Sequence, residues 1–364
     1  MIACSFGLII ILKNTIMKSI CTGILLSFFL FMTNAYGQNR QPTVKDSITF
    51  FYNDLLSNLE LKYLNRAYVD WAKIKKYTLE QALKADDFST SLATTSVVFD
   101  TIKCNHCKLF SDSGFYGSTL NKQLSQEDFS REFLVELEKN PSFQVKRINK
   151  NIGYINMPGM LMIDLTQDAL NIEAQKMYDE IVELQKTKKI KGWVIDLRFN
   201  GGGNVFPMLA ALHSLLGDNI MYNAIDNEGI NIGIHTLRKG GFYEGKEVKA
   251  KVIPSIIPDT EIPVALLIGK LTGSSGEDIA VAFKNRKNVI FIGENTYGFL
   301  TGNDLYELPY AIKVALTTSY ITDAHEKYQA YITPDIEIIK EANFEDLTKD
   351  KNVMEAIKFI NTKN

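Results

Sequence analysis

The sequence predicts an α/β protein in which a helical N-terminal region precedes a largely parallel core. Short apolar strands alternate with helices between Asn151 and Ile292, and this order requires crossover connections between parallel strands. Apolar residues recur at helical spacing from Asp46 to Leu83, before the core. The predicted strands of the core are 152–157, 193–195, 264–268 and 289–292, and the helices between them are 165–184, 208–216 and 277–283.

Composition and charge narrow the class of protein. The chain has 364 residues, 46% hydrophobic and 23% charged, which is ordinary for a globular protein with a sizeable core. Its formal net charge of -2 gives no electrostatic basis for binding nucleic acid, so a nucleic-acid partner is not expected.

The first 37 residues are predicted to be a signal peptide, with the first 16 as an upstream extension. Lys18 precedes an apolar run at 24–32, and the small residues Ala35 and Gly37 precede a cleavage site before Gln38. The run is too short to cross a bilayer comfortably, so no stable membrane span is expected after cleavage. The predicted location is the periplasm or the medium, and an uncleaved N-terminal anchor is the alternative.

After cleavage, the remaining cysteines are Cys104 and Cys107. In an exported protein they form either a small disulfide or two unpaired buried thiols. Zinc is not expected, because Cys104, His106 and Cys107 are too close in sequence to converge on one ion. A histidine between the cysteines does not fit haem attachment. The sequence therefore predicts no metal and no organic cofactor.

Two segments carry the predicted chemistry, and each follows a buried strand. In the first, residues 192–203 end in Gly201-Gly202-Gly203, whose N–H groups lie at the sheet edge where open α/β folds bind ligands. The turn lacks a Gly-Lys-Ser/Thr ending and the dinucleotide spacing, so a phosphate site is not favoured. In the second, residues 272–277 place Ser274 at the mouth of a helix.

Ser274 has two interpretations. Ser274-x-x-Glu277 is a capping box, in which the hydroxyl would only cap the helix. The flanking Gly273 and Gly276 favour a nucleophile, because a sharp and crowded turn needs glycines whereas a cap does not. The N–H of Ser275 at the helix N-terminus would then stabilise a developing oxyanion.

Four segments resemble, in order and spacing, the tail-specific (C-terminal processing) serine peptidases, which include the tricorn core protease. They are Ile195–Gly203, Thr272–Glu277, Val289–Gly298 and Ile332–Ile336, within about residues 150–340. The resemblance implies a crotonase/ClpP-like β/α spiral core and a peptide or protein substrate. It also implies that Ser274 is the nucleophile and that the N–H groups of Gly202 and Ser275 form the oxyanion hole.

The resemblance also suggests where to look for the general base. Many members carry a lysine at the position of Phe299, so a Ser-Lys dyad at that place is excluded. The tricorn-like branch uses a histidine from the N-terminal helical part, and His106 stands at the matching place. Asn105 replaces the serine that helps to orient this histidine in the family. The alternative for His106 is a surface or packing residue.

In the tricorn-like branch, a glutamate late in the chain joins the serine and the histidine as the third catalytic residue. Glu326 is the nearest candidate by position. The alternative for Glu326 is a solvated loop charge. His325 is a weaker alternative base, and His213 and His235 belong to no motif.

The predicted domain order follows from these assignments. The connecting segment is too short for the PDZ domain that the family often inserts there, so specificity for C-terminal tails cannot be carried over. The predicted parts are a signal peptide (1–37), an N-terminal helical subdomain (38–110), a connecting segment (111–149), a catalytic core (150–342) and a C-terminal helix (343–364).

Together these observations predict an exported serine peptidase that works through an acyl-enzyme. The alternative is a catalytically decayed module that binds peptides or apolar ligands, and Phe299, Asn105 and the loose match at Glu326 favour it. A third interpretation is an acyl-CoA enzyme, since crotonases share the core and an oxyanion hole. CoA thioesters are cytoplasmic, so that interpretation does not fit an exported protein.

Overall fold

The computed structural model describes residues 41–187 and 189–363, so the predicted signal peptide lies outside the described residues. The helices are α1 Val44–Lys62, α2 Trp71–Ala82, α3 Phe88–Ser91, α4 Thr94–Ile102, α5 Arg131–Glu138, α6 Gln167–Thr187, α7 Val205–Ala211, α8 His213–Leu216, α9 Ser275–Lys284 and α10 Lys351–Thr362. The strands are β1 Lys108–Ser111, β2 Gly114–Gly117, β3 Gln144–Ile148, β4 Ile152–Asn156, β5 Gly192–Asp196, β6 Asn219–Ile225, β7 Asn231–Arg238, β8 Gly241–Glu244, β9 Glu247–Lys251, β10 Val264–Ile268, β11 Val289–Gly293, β12 Thr301–Leu308, β13 Ile312–Thr322 and β14 Ile336–Glu337. None of these helices is both long and apolar enough to cross a membrane.

The predicted α/β core is confirmed as a six-stranded sheet in the order β14-β11-β10-β5-β4-β3. All of its neighbouring strands are parallel except the edge pair β3 and β4. Both faces are covered, by a large cluster that includes α6 to α9 and by a smaller one against α10. Because β5 and β10 are parallel neighbours, with Asp196 opposite Leu267, the segments that follow them start side by side.

An antiparallel sheet accompanies the parallel one, and the sequence analysis did not predict it. Its order is β2-β1-β13-β6-β7-β8-β9, with β12 on β13. No strand is predicted from the sequence in residues 219–251, which form β6 to β9. In β7 the apolar residues Ile232 and Ile234 are exposed, while Gly233 and Thr236 are partly buried. The strand therefore lacks the alternation of buried apolar and exposed polar residues by which a strand is predicted from sequence.

The helical region packs on the antiparallel sheet. The continuous pattern from Asp46 to Leu83 forms two helices, α1 and α2, and the Asp70 side chain caps the second by accepting the Lys73 N–H. Buried residues of α1 and α4 share one cluster with Val314 of β13. This packing brings the segment after α4, which carries His106, onto the sheet.

Candidate active site

A buried ion-pair network fixes the start of the glycine turn at the carboxyl end of β5. The Arg198 guanidinium donates to Asp196 (Nη2···Oδ2 2.6 Å) and to Asp350 (Nη1···Oδ2 2.9 Å), and all three side chains are buried. The Tyr154 hydroxyl donates to Asp196 Oδ2 at 2.7 Å. Because removing one partner would leave a buried charge uncompensated, the network holds the turn in one conformation.

The glycine turn and the serine segment meet in space. Gly202 and Gly203 have φ of +118° and +119°, a backbone conformation that other residues rarely adopt. A Cβ atom at Gly202 would lie 2.9 Å from Ser274 Cβ and 3.3 Å from Ser274 Oγ. The backbone of Gly202 therefore lies directly against the Ser274 side chain.

Ser274 is the N-cap of α9 and has φ 52° and ψ -119°, which is a strained conformation for serine. A Cβ at Gly276 would lie 2.5 Å from the Asn200 carbonyl oxygen, and one at Gly273 would lie 3.2 Å from Tyr297 Cβ. The sharp and crowded turn predicted from the two glycines is thus confirmed. Backbone strain of this kind concentrates at functional sites.

The capping-box interpretation accounts for only part of this geometry. The Glu277 carboxylate accepts the Ser274 N–H at 3.0 Å, as in a capping box. The Ser274 hydroxyl is within capping-box reach of the Glu277 N–H but makes no cap hydrogen bond. The N–H groups of Glu277 and Asp278 donate instead to the Ser274 carbonyl oxygen, at 2.8 and 2.9 Å. The N-terminus of α9 therefore does not depend on the Ser274 hydroxyl for a hydrogen bond.

The two N–H groups predicted for the oxyanion hole differ in availability. The Ser275 N–H donates to no atom of residues 41–187 and 189–363, while the Ser275 hydroxyl donates to the Gly203 carbonyl oxygen at 2.5 Å. The Gly202 N–H donates to the Asn200 side-chain oxygen at 3.1 Å. An oxyanion bound here has to displace the Asn200 oxygen or share the Gly202 N–H with it.

His106 is buried and lies between the cysteines, which form a disulfide. Of the two predicted alternatives, a disulfide or two unpaired thiols, the structure shows the disulfide between Cys104 and Cys107. The imidazole stacks on Phe299 with ring centroids 4.3 Å apart, and its Nδ1 lies 2.7 Å from Thr301 Oγ1. Thr301 occupies Nδ1 and leaves Nε2 for proton exchange, but His106 makes no hydrogen bond to Ser274 within the described residues.

The surroundings of His106 favour its neutral form. Burial, followed by the positive charge of Lys108, lowers the pKa of His106 to about 3, although a hydrogen bond with the Thr301 backbone opposes the shift. The His106 carbonyl oxygen accepts from Asn303 Nδ2 at 3.0 Å, which fixes the main chain as well. The imidazole is therefore neutral at physiological pH, and a pKa this low makes it a weak base in the resting protein.

Glu277 connects the serine turn with the histidine. Besides the Ser274 N–H, its carboxylate accepts the N–H groups of Gly298 (2.9 Å) and Phe299 (2.7 Å) and the Thr296 hydroxyl (2.5 Å). Burial raises the pKa of Glu277, and these hydrogen bonds counter the shift. One carboxylate thus holds both the Ser274 turn and the turn whose Phe299 ring packs on His106. The Ser-x-x-Glu spacing was the only signal of this role in the sequence.

The structure does not place Glu326 beside the predicted base. Glu326 lies on an exposed loop with φ +60°, and its Oε1 accepts from Asn231 Nδ2 at 2.8 Å. The partner of His106 Nδ1 is Thr301, which the sequence analysis missed because a threonine in a strand carries no functional signal. Asn105, predicted to help orient the imidazole, is exposed, and its carbonyl oxygen accepts from Asn121.

The other histidines make separate contacts. His213 Nε2 lies 2.8 Å from Asp218 Oδ1, and His235 Nε2 lies 3.3 Å from Glu244 Oε1. The His325 side chain is exposed. Neither the His213 pair nor the His235 pair includes a residue of the Ser274 turn.

Comparison of the sequence with known proteins identifies relatives over the same region. The family model described as Peptidase family S41 matches residues 151–338. The nisin-resistance protein of Lactococcus lactis subsp. lactis is 28% identical over 156 residues, which are 40% of this chain and 46% of that protein. The chloroplastic carboxyl-terminal-processing peptidase 2 of Arabidopsis thaliana is 28% identical over 182 residues, 50% of this chain and 32% of that protein. The matches therefore span less than half of each relative.

Solved structures share the fold over most of the chain. A lipoprotein from Streptococcus agalactiae has a TM-score of 0.63 at 20% identity, with 87% of this chain and 97% of that chain covered. The photosystem II D1 C-terminal processing protease has a TM-score of 0.51 at 13% identity, with 82% and 96% covered. At these identities the likeness concerns the fold.

Proposed function

We propose that this chain, which belongs to peptidase family S41, is a serine peptidase that cleaves peptide bonds through an acyl-enzyme on Ser274. The observation that carries the proposal is the strained backbone of Ser274 at the mouth of α9, with its side chain against Gly202. A helix cap does not require this strain, whereas a nucleophile presented beside main-chain N–H groups benefits from it.

The proposed reaction uses the residues in a fixed order. His106 Nε2 takes the proton from Ser274 Oγ, which attacks the peptide carbonyl carbon. The N–H groups of Ser275 and Gly202 stabilise the oxyanion, and Asn200 gives up or shares the Gly202 N–H at this step. Protonated His106 then donates to the leaving amine, and a water molecule hydrolyses the acyl-enzyme by the same route. Thr301 orients the imidazole.

A fluorophosphonate probe tests the proposal, because it labels a serine only where a base and an oxyanion hole activate it. We expect labelling of the wild-type protein at Ser274 and none of Ser274→Ala. Equal circular dichroism spectra for the two proteins serve as the folding control. Silence of the wild-type protein in a folded sample would overturn the peptidase assignment.

A catalytically decayed peptide-binding module remains the second candidate. The observation in its favour is the hydrogen bond from the Gly202 N–H to Asn200, which occupies one oxyanion donor. The same probe separates the candidates, since a binder with an occupied oxyanion hole does not react. Peptide binding without labelling would support this candidate.

The proposal includes three further expectations, which concern the core fold, the domain bounds and the location of the protein. The core is proposed to be a crotonase/ClpP-like β/α spiral, and the order of strands and crossover helices between β4 and β11 supports this. The domain division at 38–110, 111–149, 150–342 and 343–364 is retained as part of the proposal. Export to the periplasm or medium is supported by the apolar run at 24–32 and by the disulfide, which suits an oxidising compartment.

A further inference from the structure

We propose that a cavity beside His106 binds a carboxylate of the peptide substrate, on the side of the leaving amine. The proposal rests on the proposed peptidase function and names part of its substrate class. The cavity has a volume of about 320 Å³ and lies between the segment after α4, the connecting segment and the Phe299 turn. It is large enough to hold at least one side chain of a bound peptide.

The charges around the cavity are of one sign. Lys103 and Lys122 line it, and its lining includes no aspartate or glutamate. Both lysines are exposed, and neither forms an ion pair within the described part of the chain. A carboxylate is the group in a peptide that complements two lysines without acidic partners.

The polar side chains of the wall match the same ligand. Three asparagines line the cavity. The side-chain amides of Asn65 and Asn105 can donate to a carboxylate oxygen, whereas the Asn121 amide already donates to the carbonyl oxygens of Asn105 and Ser118. The charge of Lys108, outside the lining, also acts on His106, and no carboxylate offsets it. A bound anion would therefore offset the positive charge of Lys108 near His106.

The segments that carry the lysines are held against the wall. The Tyr297 hydroxyl donates to the Lys122 carbonyl oxygen at 2.7 Å, and Asn121 Nδ2 donates to the Asn105 carbonyl oxygen at 2.8 Å. These bonds tie the connecting segment to the Phe299 turn and to the disulfide segment. The cavity is thus a built site rather than a gap between loose loops.

The position of His106 gives the direction of the bound peptide. His106 lines the cavity, and in the proposed mechanism it donates its proton to the leaving amine. The part of the peptide that follows the scissile bond therefore lies toward the cavity. The carboxylate belongs either to an acidic side chain in that part or to the C-terminus of the peptide.

Binding to the full-length Ser274→Ala protein tests the proposal without any need for hydrolysis. Four peptides carry a neutral dye at the N-terminus for anisotropy: Ala-Ala-Ala-Glu amide, Ala-Ala-Ala-Gln amide, tetra-alanine acid and tetra-alanine amide. We expect the carboxylate member of at least one pair to bind about tenfold tighter. The first pair reports on a side chain, and the second reports on a C-terminus.

Lysine variants locate the effect. In the Ser274→Ala background, the pair Lys103→Gln and Lys122→Gln should remove the preference for the carboxylate. Lys246→Gln, at an exposed lysine outside the cavity lining, should keep it. Equal binding within both peptide pairs, or a preference that survives the two cavity substitutions, would overturn the proposal.

The two hypotheses fail separately. Labelling by fluorophosphonate without a carboxylate preference would leave the peptidase and remove the carboxylate site. A carboxylate preference without labelling would keep the site in a binding module and remove the peptidase.

Discussion

The nucleophile half of the candidate site and its base half are built in different ways. In the nucleophile half, Gly202 and Ser274 follow two neighbouring parallel strands, β5 and β10, so the sheet itself brings them together. In the base half, His106, Phe299 and Thr301 meet because β1 and β12 both pair with β13 and the helical region packs on this antiparallel sheet. Local sequence rules therefore specify the first half, whereas tertiary packing specifies the second.

The largest effect is expected at the nucleophile. Ser274→Ala should lower the rate of peptide hydrolysis by about 10⁴-fold or more, because the attacking atom is lost. The free energy of unfolding should change by less than about 1 kcal/mol, since the hydroxyl makes no cap hydrogen bond. Ser274→Gly should be the more stable variant by roughly 1 kcal/mol, because glycine relieves the positive φ. Hydrolysis assays and urea unfolding measure both quantities, and hydrolysis by Ser274→Ala would refute the nucleophile.

The base half should respond to pH in the stability of the protein. The unfolded chain protonates His106 near its ordinary pKa of 6.5, whereas the folded protein does so only near 3. Between these values the unfolded state binds the extra proton, so stability falls as the pH falls. From pH 7 to pH 4, wild type should lose about 3 kcal/mol more than His106→Gln in urea unfolding.

Ser274→Ala serves as the control for this measurement and should follow wild type, because it leaves the imidazole in place. Identical pH dependence for wild type and His106→Gln would show that the buried imidazole titrates normally. The base half would then be more open to water than its packing indicates.

Sequence reasoning predicted both segments that meet around Ser274, but only His106 among the residues that contact the imidazole or carry it. The apolar runs 193–195 and 264–268 form the buried strands β5 and β10, and Gly273 and Gly276 mark the crowded turn, so both features are predictable from local patterns. Thr301 was not, because its contact with His106 spans 195 positions and depends on how β12 pairs with β13. Family order alone points to Glu326, and the order of residues along the chain does not determine which side chains pack against His106.

Thr301 gives the sharpest test of that base half. Thr301→Val keeps the size and strand preference of the side chain but removes the hydroxyl that bonds His106 Nδ1. Loss of one hydrogen bond to the imidazole should lower kcat by about 10- to 100-fold with little change in KM. Thr301→Ser should restore most of kcat. If the serine variant is as slow as the valine variant, the hydroxyl does not orient the base.

The disulfide should have a smaller effect on the same half. Reduction, or the paired change Cys104→Ser and Cys107→Ser, frees the short segment that holds His106 and should lower kcat severalfold. Both sulfur atoms belong to buried residues, so the double variant is needed beside the reductant. Equal hydrolysis rates in all three samples would show that packing on Phe299 alone positions the imidazole.

The smallest effect is expected at Glu326. The family resemblance points to this residue, but in the structure it is not among the residues that contact His106. Glu326→Gln removes a charge on an exposed loop and keeps an oxygen that can accept from Asn231. The value of kcat/KM should stay within about twofold of wild type, as for other exposed substitutions. A loss as large as that of Thr301→Val would mean that Glu326 reaches the imidazole during turnover. In that case Glu326 would act on His106 as the resemblance implies, and the difference between the two halves would hold only for the protein without substrate.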